Sequence, residues 1–552
     1  MTVAFSSSIN IVLTLAVGER LEVRRTQRLV FRGPCNWTGL EFNGLVVGGD
    51  LELWNRHSDR YLGPPCAVLE PFDASAVQAA IRYARDHGLP LRVNGGGHDY
   101  LTYSSWNGPV LSTKRLERIE VGHDTLVLGA GVRWGEAYAQ LDRYVAGGLS
   151  PNVGVIGFLL GGGINHNYCR SYGLGVDNML SATLVTAAGD LVRASRDENP
   201  DLFWALRGGG GSNFGVVTDV ELRLGDAYES SGAIQYFFRF LRDTAAVLRR
   251  LQHFALEFAL EDTRLGVEAH ASAADDVQVL IQWNARKDAD TFSRYLSAFA
   301  STNQIHHTNW HLDRACDGLD FEIRSGAAVV VRTACFAQTA GVDHIETHSK
   351  PLNDLAQTGD NWFVDRVGDD LIHHALEIQR VAKQELDAHF VICLEFFYNC
   401  SKDDTAFPHA DSWLWYWECF TAPGEPQAAC DALGTNLSLA TDRTAAILGS
   451  YTNYNTDKYA DTLDLVYGPS LSRLSQVKRD WDPTDFFRHE KSIPLPDPPM
   501  QLVMDGTTPT SCSSDNVSSA ASRKKKEEED VTASSPLAAL PEEPAAAAAW
   551  KL

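Results

Sequence analysis

Arg92-Val-Asn-Gly-Gly-Gly-His-Asp-Tyr100, Ser150-Pro-Asn-Val-Gly-Val-Ile-Gly-Phe-Leu-Leu-Gly-Gly-Gly163 and Asp201-Leu-Phe-Trp-Ala-Leu-Arg-Gly-Gly-Gly-Gly-Ser-Asn-Phe-Gly-Val-Val217 are three glycine clusters within one β-rich stretch. Consecutive glycines let backbone N–H groups converge with no Cβ in the way, which makes a nest suited to a diphosphate. One triplet alone would read as a tight turn. Three clusters, near β-rich segments such as Thr125-Leu-Val-Leu128 and Ala182-Thr-Leu-Val-Thr186, favour one extended ligand lying across several loops. No Gly-Lys-Ser/Thr follows any cluster, so a P-loop fails. The glycines do not share a single strand–turn–helix unit, so a dinucleotide-binding doubly wound fold fails too.

Outward from these clusters the pattern stays α+β. Ala67-Val-Leu-Glu-Pro71 reads as a strand and Ser75 to His87 as an amphipathic helix, with Val77, Ala80, Ile81 and Ala84 at three- and four-residue spacing. Gly88 stops it, and Leu89-Pro-Leu-Arg-Val93 resumes an extended run. Between about 230 and 440, helical patterns at Asp243–Leu260 and Leu371–Leu386 mix with aromatic strands. From Pro498 the chain turns to Ser, Thr, Ala and Pro, with Lys524-Lys-Lys-Glu-Glu-Glu529 and a penta-alanine, the composition of a disordered tail.

The 552 residues are 44% hydrophobic and 10% aromatic, enough for a large packed core. Forty-eight basic against 71 acidic residues give a net charge of −23, which argues against nucleic acid or an anionic membrane as partner. That balance leaves backbone amides as the natural holders of a diphosphate. Ile9–Val17 is too short to span a bilayer, and no transmembrane segment is expected. The ten cysteines form no CxxC pair and no Cys/His cluster at zinc spacing, so no metal is expected. Sequons begin at Asn36, Asn399, Asn436 and Asn516. No basic residue precedes Ile9–Val17, and Trp550-Lys-Leu552 misses the peroxisomal tripeptide. Secretion is the expectation and the cytoplasm the alternative.

In order, these motifs resemble the PCMH-type FAD-binding domain of the vanillyl-alcohol oxidase superfamily, and within it the berberine-bridge-enzyme-like oxidases. The likeness rests on Arg92-x-x-x-Gly-Gly-His98, on Gly161–Gly163 followed by Tyr172-Gly-Leu-Gly-Val-Asp-Asn178, and on Asp201-Leu-Phe-Trp-Ala-x-Arg-Gly-Gly. Near the C-terminus Tyr451-Thr-Asn-Tyr454, Tyr467-Gly468, Arg473-Leu-Ser-Gln-Val-Lys478, Asp482-Pro483 and Phe486-Phe487 match as well. The resemblance covers about residues 50 to 497. It implies an N-terminal extension (1–60), an FAD-binding domain (61–228), a substrate domain with an antiparallel sheet backed by helices (229–449), a berberine-bridge-like segment returning to the FAD domain (450–497) and a disordered tail (498–552).

The same resemblance assigns residues. Asn94, Gly95, Gly96, Gly97, His98, Asp99 and Ser104 match the loop around the pyrophosphate, and Gly161, Gly162, Gly163, Asp177, Asn178, Gly211 and Val217 match positions lining the rest of FAD. Asn453 would approach the flavin from the C-terminal segment. Asp177 reads equally as a helix cap or turn acid. His98 matches the histidine bonded to the flavin 8-methyl carbon. Ser150 stands where many relatives have the cysteine bonded to flavin C6, and serine lacks that thiolate chemistry. Attachment through His98 alone is therefore implied.

Oxidising an alcohol requires a base within hydrogen-bond reach of its hydroxyl. Tyr454 matches a proposed base in some relatives, and also reads as ordinary core. Glu418, in Trp413-Leu-Trp-Tyr-Trp-Glu418, reads either as a carboxylate desolvated among three tryptophans and a tyrosine, or as a strand residue facing solvent. The tryptophans suit stacking on sugars or aromatic substrates, and suit a core equally. Ala410 after Thr405-Ala-Phe-Pro-His409, and Tyr398-Asn-Cys400 in place of Gly-Gly, depart from the family on the substrate side. The implied reaction is hydride transfer from an alcohol, amine or similar C–H group of a small organic substrate to FAD. Dioxygen then reoxidises the cofactor and yields hydrogen peroxide. The alternatives are a dehydrogenase with another acceptor and a binder without turnover.

Overall fold

A computed structural model describes residues 37, 40–47, 65–98, 106–226, 233–284, 288–305, 322–324, 329–336, 356–385, 389–401, 403–409, 411–421, 427–445, 447–453, 463–489 and 491–496. Two units divide the chain, Met1–Pro496 and Asp497–Leu552. The described residues lie in the first; the expected tail lies outside them. The fold is α+β, built on three sheets.

The first sheet holds β1 (Gly44–Val47), β2 (Ala67–Pro71), β3 (Arg92–Asn94) and β4 (Pro109–Ser112) in the order β1-β2-β4-β3. Strands β2 and β3 both run parallel to β4, the pairing a strand–helix–strand opening dictates. The intervening helix, Ala74–Asp86, buries Ala76, Val77, Ala80, Ile81 and Ala84. Its N-terminus is capped by Asp73, which accepts the Ala76 N–H at 2.8 Å, and Gly88 follows its end at φ +61°. This sheet takes in Gly44–Val47, ahead of residue 61 where the resemblance begins the domain. The second sheet holds β5 (Ile119–Val121), β6 (Thr125–Gly129), β7 (Met179–Val185), β8 (Leu191–Ser195) and β9 (Val216–Arg223) in the order β5-β6-β9-β7-β8, all antiparallel. The first glycine cluster follows β3 of the first sheet, and the other two fall in the connections β6–β7 and β8–β9.

The third sheet is antiparallel, with β10 (Ala233–Phe240), β11 (Leu265–Ala273), β12 (Asp276–Trp283), β13 (Glu322–Arg324), β14 (Val329–Phe336), β15 (Ala356–Val364), β16 (His389–Phe396), β17 (Trp413–Thr421) and β18 (Ile447–Gly449). Its order is β13-β14-β10-β12-β11-β16-β17-β15-β18. Successive strand residues point to opposite faces, and here both faces are covered. Val267, Ala269, Ile392, Leu394, Trp413, Trp415 and Trp417 pack with side chains of the helices Thr244–Phe254, Ala289–Thr302, Asp369–Glu385 and Gln427–Thr444. Val391, Cys393, Leu414 and Tyr416 join the core of the glycine-rich half instead. No helix among the described residues is long and apolar enough to cross a membrane.

Two features fasten the C-terminal and sheet segments to the glycine-rich half. Fully buried Lys478, on the helix Leu471–Trp481, donates to the Asn213 carbonyl (3.1 Å) and the Phe487 carbonyl (2.8 Å) and pairs with Asp482 (3.0 Å). The Ile493 N–H donates to Asn213 Oδ1 at 3.0 Å. A disulfide joins Cys169 to Cys400, and a second joins Cys419 to Cys430.

Candidate active site

The glycine loops meet because glycine permits it. The backbones at Gly96 and Gly154 touch: a Cβ on Gly96 would lie 2.5 Å from the Gly154 nitrogen. Gly162, at φ +125°, faces the Phe407 ring. Gly95 and Gly211 are different. Each has ordinary negative φ, and a Cβ on either would meet nothing within 4 Å. Nothing in the folded chain demands glycine there, so the bare backbone at both positions faces open space. A cradle of exposed amides fits the diphosphate of a dinucleotide such as FAD.

Other expected site residues occupy defined places. Asn94 ends β3, buried, and its carbonyl accepts from Thr113 Oγ1 at 3.4 Å. His98 is half-buried at the end of the first loop. Asp177 caps the turn Gly175–Asn178 by accepting the Leu174 N–H at 2.9 Å, and Asn178 donates to the Tyr172 and Leu174 carbonyls, both at 3.0 Å. Those bonds hold the segment against which Gly163 packs. Val217 is a core residue of β9. Asn453 lies on the helix Val155–Leu160, donating to the Gly157 (3.3 Å) and Phe158 (3.4 Å) carbonyls and to the Tyr451 hydroxyl (2.9 Å). Asp99, Ser104 and Tyr454 lie outside the described residues.

Glu418 needs a correction. The three tryptophans do not surround it, because the period of two in β17 sends Trp413, Trp415 and Trp417 to the helix-backed face and Glu418 to the other. The tryptophans are core, fully or almost fully buried, and unavailable for stacking on a substrate. Glu418 is half-buried and shares its face with Tyr416 and, across the ladder, with Val391 of β16.

That face carries a polar cluster. Glu268 and His270 of β11 stand opposite Glu395 and Cys393 of β16, and Cys393 stands opposite Tyr416 of β17. Tyr416 donates to Glu395 at 3.1 Å, Cys393 Sγ lies 3.3 Å from His270 Nδ1, and His270 Nε2 bonds Glu268. The last member, His166, comes from the glycine-rich half, three residues after Gly163, and its Nδ1 bonds Glu395. His166 sits at φ +51°, unusual for a residue with a side chain, on the short turn His166–Tyr168 packed against β11 and β16.

The electrostatics follow from burial and neighbours. Burial alone would lower the His166 imidazole, but the Glu395 and Glu268 carboxylates outweigh it and hold it up to about 9. His270 is raised well above its usual range in the same way, against burial, by Cys393 and Glu268. Burial pushes the Cys393 thiol up to about 11, and burial with the surrounding anions keeps Tyr416 a neutral phenol. Strands β11, β16 and β17 contribute no lysine or arginine. The sequence does carry a trace of this cluster, as polar residues two apart in apolar strands: Val267-Glu-Ala-His-Ala271 and Ile392-Cys-Leu-Glu-Phe396. Only the strand register brings the pairs together.

Comparison with known proteins agrees with this architecture. Residues 65–195 match the FAD binding domain model and residues 450–494 the berberine and berberine-like model. An FAD-linked oxidoreductase of Trichophyton verrucosum is 44% identical over 165 residues, which is 27% of this chain and 27% of that protein. The (R)-6-hydroxynicotine oxidase of Paenarthrobacter nicotinovorans is 39% identical over 197 residues, 34% of this chain and 43% of that protein. The chain thus matches less than half the length of these relatives. Among solved structures, 6-hydroxy-D-nicotine oxidase from Arthrobacter nicotinovorans superposes with a TM-score of 0.67 at 24% identity, covering 83% of this chain and 99% of that one. An FAD binding domain match thus lies ahead of the third sheet and a berberine-like match behind it, and the fold is that of 6-hydroxy-D-nicotine oxidase.

Proposed function

We propose that the chain is an FAD-dependent oxidase of a small organic alcohol, amine or similar C–H donor, with dioxygen as the second substrate. One observation carries the reading. The loop Gly161–His166 runs from the glycine loops to the carboxylate–imidazole face of the third sheet, the face that also carries Glu418. Gly95–Gly97 and Gly211 would hold FAD by backbone amides, Gly161–Gly163 would line it, and His98 would carry it covalently through a ring nitrogen. Bound FAD supplies the hydride acceptor.

The chain's own residues handle the proton. Glu418 accepts the proton of the substrate hydroxyl or ammonium as hydride leaves the adjoining carbon, so one proton and one hydride are removed. Tyr416, two residues along β17, and Val391, opposite Glu418 on β16, share its face. Without lysine or arginine on the three strands, the face suits a neutral or cationic substrate better than an anion. The disulfides Cys169–Cys400 and Cys419–Cys430 support an oxidising compartment, and the exposed Asn436 supports glycosylation there.

The Glu418→Gln variant should bind flavin normally, while substrate reduction of that flavin slows by about 10²-fold or more in stopped-flow absorbance. Unchanged reduction would remove Glu418 from the role. Acid-precipitated protein should stay yellow, with the adduct on the peptide holding His98. Peroxide should appear in air; its absence alongside rapid flavin reduction would indicate a dehydrogenase.

A further inference from the structure

The polar cluster has a geometry that proton handling does not require. His166, Glu268 and Glu395 come from three separate elements, and one donor atom from each lies within 4.8 Å of the other two. We propose that these three side chains form a binding site for a divalent transition-metal cation of the zinc type, beside the flavin cradle.

The donor set is one imidazole nitrogen and two carboxylate oxygens. That combination suits a borderline cation such as Zn²⁺, whereas Mg²⁺ and Ca²⁺ prefer oxygen alone. Three protein donors leave a fourth position open, the arrangement of zinc sites that exchange a ligand. Binding would displace the proton that Glu395 and Glu268 hold on His166, after which the two carboxylates and the neutral imidazole carry −2, matching a divalent charge in a buried place where an unbalanced charge is costly.

A second observation separates this from a chance gathering of acids. Each carboxylate is held by its own outer donor: Tyr416 donates to Glu395 at 3.1 Å, and His270 bonds Glu268. His270 is in turn held by Cys393, 3.3 Å from its Nδ1. Supporting bonds of this kind orient the ligands of metal sites and tune their affinity. His166 completes the set only because its backbone takes the left-handed conformation, φ +51°, which aims it from the glycine-rich half at the sheet. The sequence hides the site, since its ligands are spread over 230 residues (166 to 395) without zinc-type spacing.

The site does not rest on the oxidase reading, and its test needs no turnover. Tag-free, flavin-loaded full-length protein would be dialysed against Zn²⁺, passed over chelating resin and analysed for metal by plasma mass spectrometry. Affinity would be measured by calorimetry, and Co²⁺ substitution would supply a visible-band reporter. About one tightly held equivalent is expected, abolished in His166→Asn, Glu268→Gln and Glu395→Gln. Should those variants fold poorly, Tyr416→Phe leaves all three ligands in place and should weaken Zn²⁺ by about 10–100-fold. The exposed-histidine control His374→Asn should bind as wild type. Well under one equivalent in wild type, no Co²⁺ band, or binding indifferent to Tyr416→Phe would each overturn the proposal.

Discussion

Gly95 and Gly96 are neighbours held for opposite reasons. A Cβ on Gly96 would press into the Gly154 backbone, whereas one on Gly95 would enter open space. Gly96→Ala should therefore destabilise the fold by about 1–3 kcal/mol, as overpacking does. Gly95→Ala should melt within about 0.5 kcal/mol of wild type as apoprotein yet incorporate much less flavin on expression. Thermal melts with flavin quantitation check both, and a Gly95→Ala protein that keeps full flavin would place the cradle elsewhere. At this scale the sequence was legible where chemistry is local: Asp177 as a turn acid follows from its neighbours, as does the helix stop at Gly88. Glu418 was not, because the tryptophans that flank it in sequence lie on the other side of the sheet.

At the scale of one element, β17 separates two jobs residue by residue. Trp415 fills the helix-backed core, fully buried, while Tyr416 faces the polar cluster. Trp415→Ala should cost about 3–5 kcal/mol by leaving a large cavity. Tyr416→Phe keeps the ring and removes one hydrogen bond, so its cost should stay near 1 kcal/mol while its effect falls on flavin reduction. Chemical denaturation and stopped-flow kinetics on the pair would separate core from site. If both variants lost stability alike, the two-faced description of β17 would fail. The helix Ala74–Asp86 was readable from spacing because its hydrogen bonds are local, and strand β2 from its short apolar run Ala67-Val-Leu69. The cluster was not, because β11 and β16 pair across more than a hundred residues and no spacing rule reaches that far.

For the molecule as a whole, acid should act early through His409. This imidazole is buried, stacked on Phe363 (centroids 4.4 Å apart), with Nε2 2.9 Å from the Val466 carbonyl. Burial pushes its pKa down to about 4, against a usual 6.5, although backbone hydrogen bonds at Val466 and Ser450 act the other way. The unfolded chain thus binds a proton that the folded one refuses between these values. The contribution is complete above about pH 6.5 and is lost as pH falls towards 4, up to about 3 kcal/mol. Tm measured from pH 7 to 4 should drop more steeply in wild type than in His409→Gln; parallel curves would assign the acid sensitivity to other groups.

The clamp made by Lys478, Asp482 and Ile493 on Asn213 has a consequence for the order of events in the cell. A ribosome delivers the glycine loops first and the residues that brace the third of them last, with the whole nine-stranded sheet in between. Domains generally fold as their residues emerge, but this cradle stays unfinished until the residues up to Ile493 have left the exit tunnel. Flavin loading is therefore expected late, once Ile493 has emerged, and the nascent protein carries an open cofactor groove through most of its own synthesis.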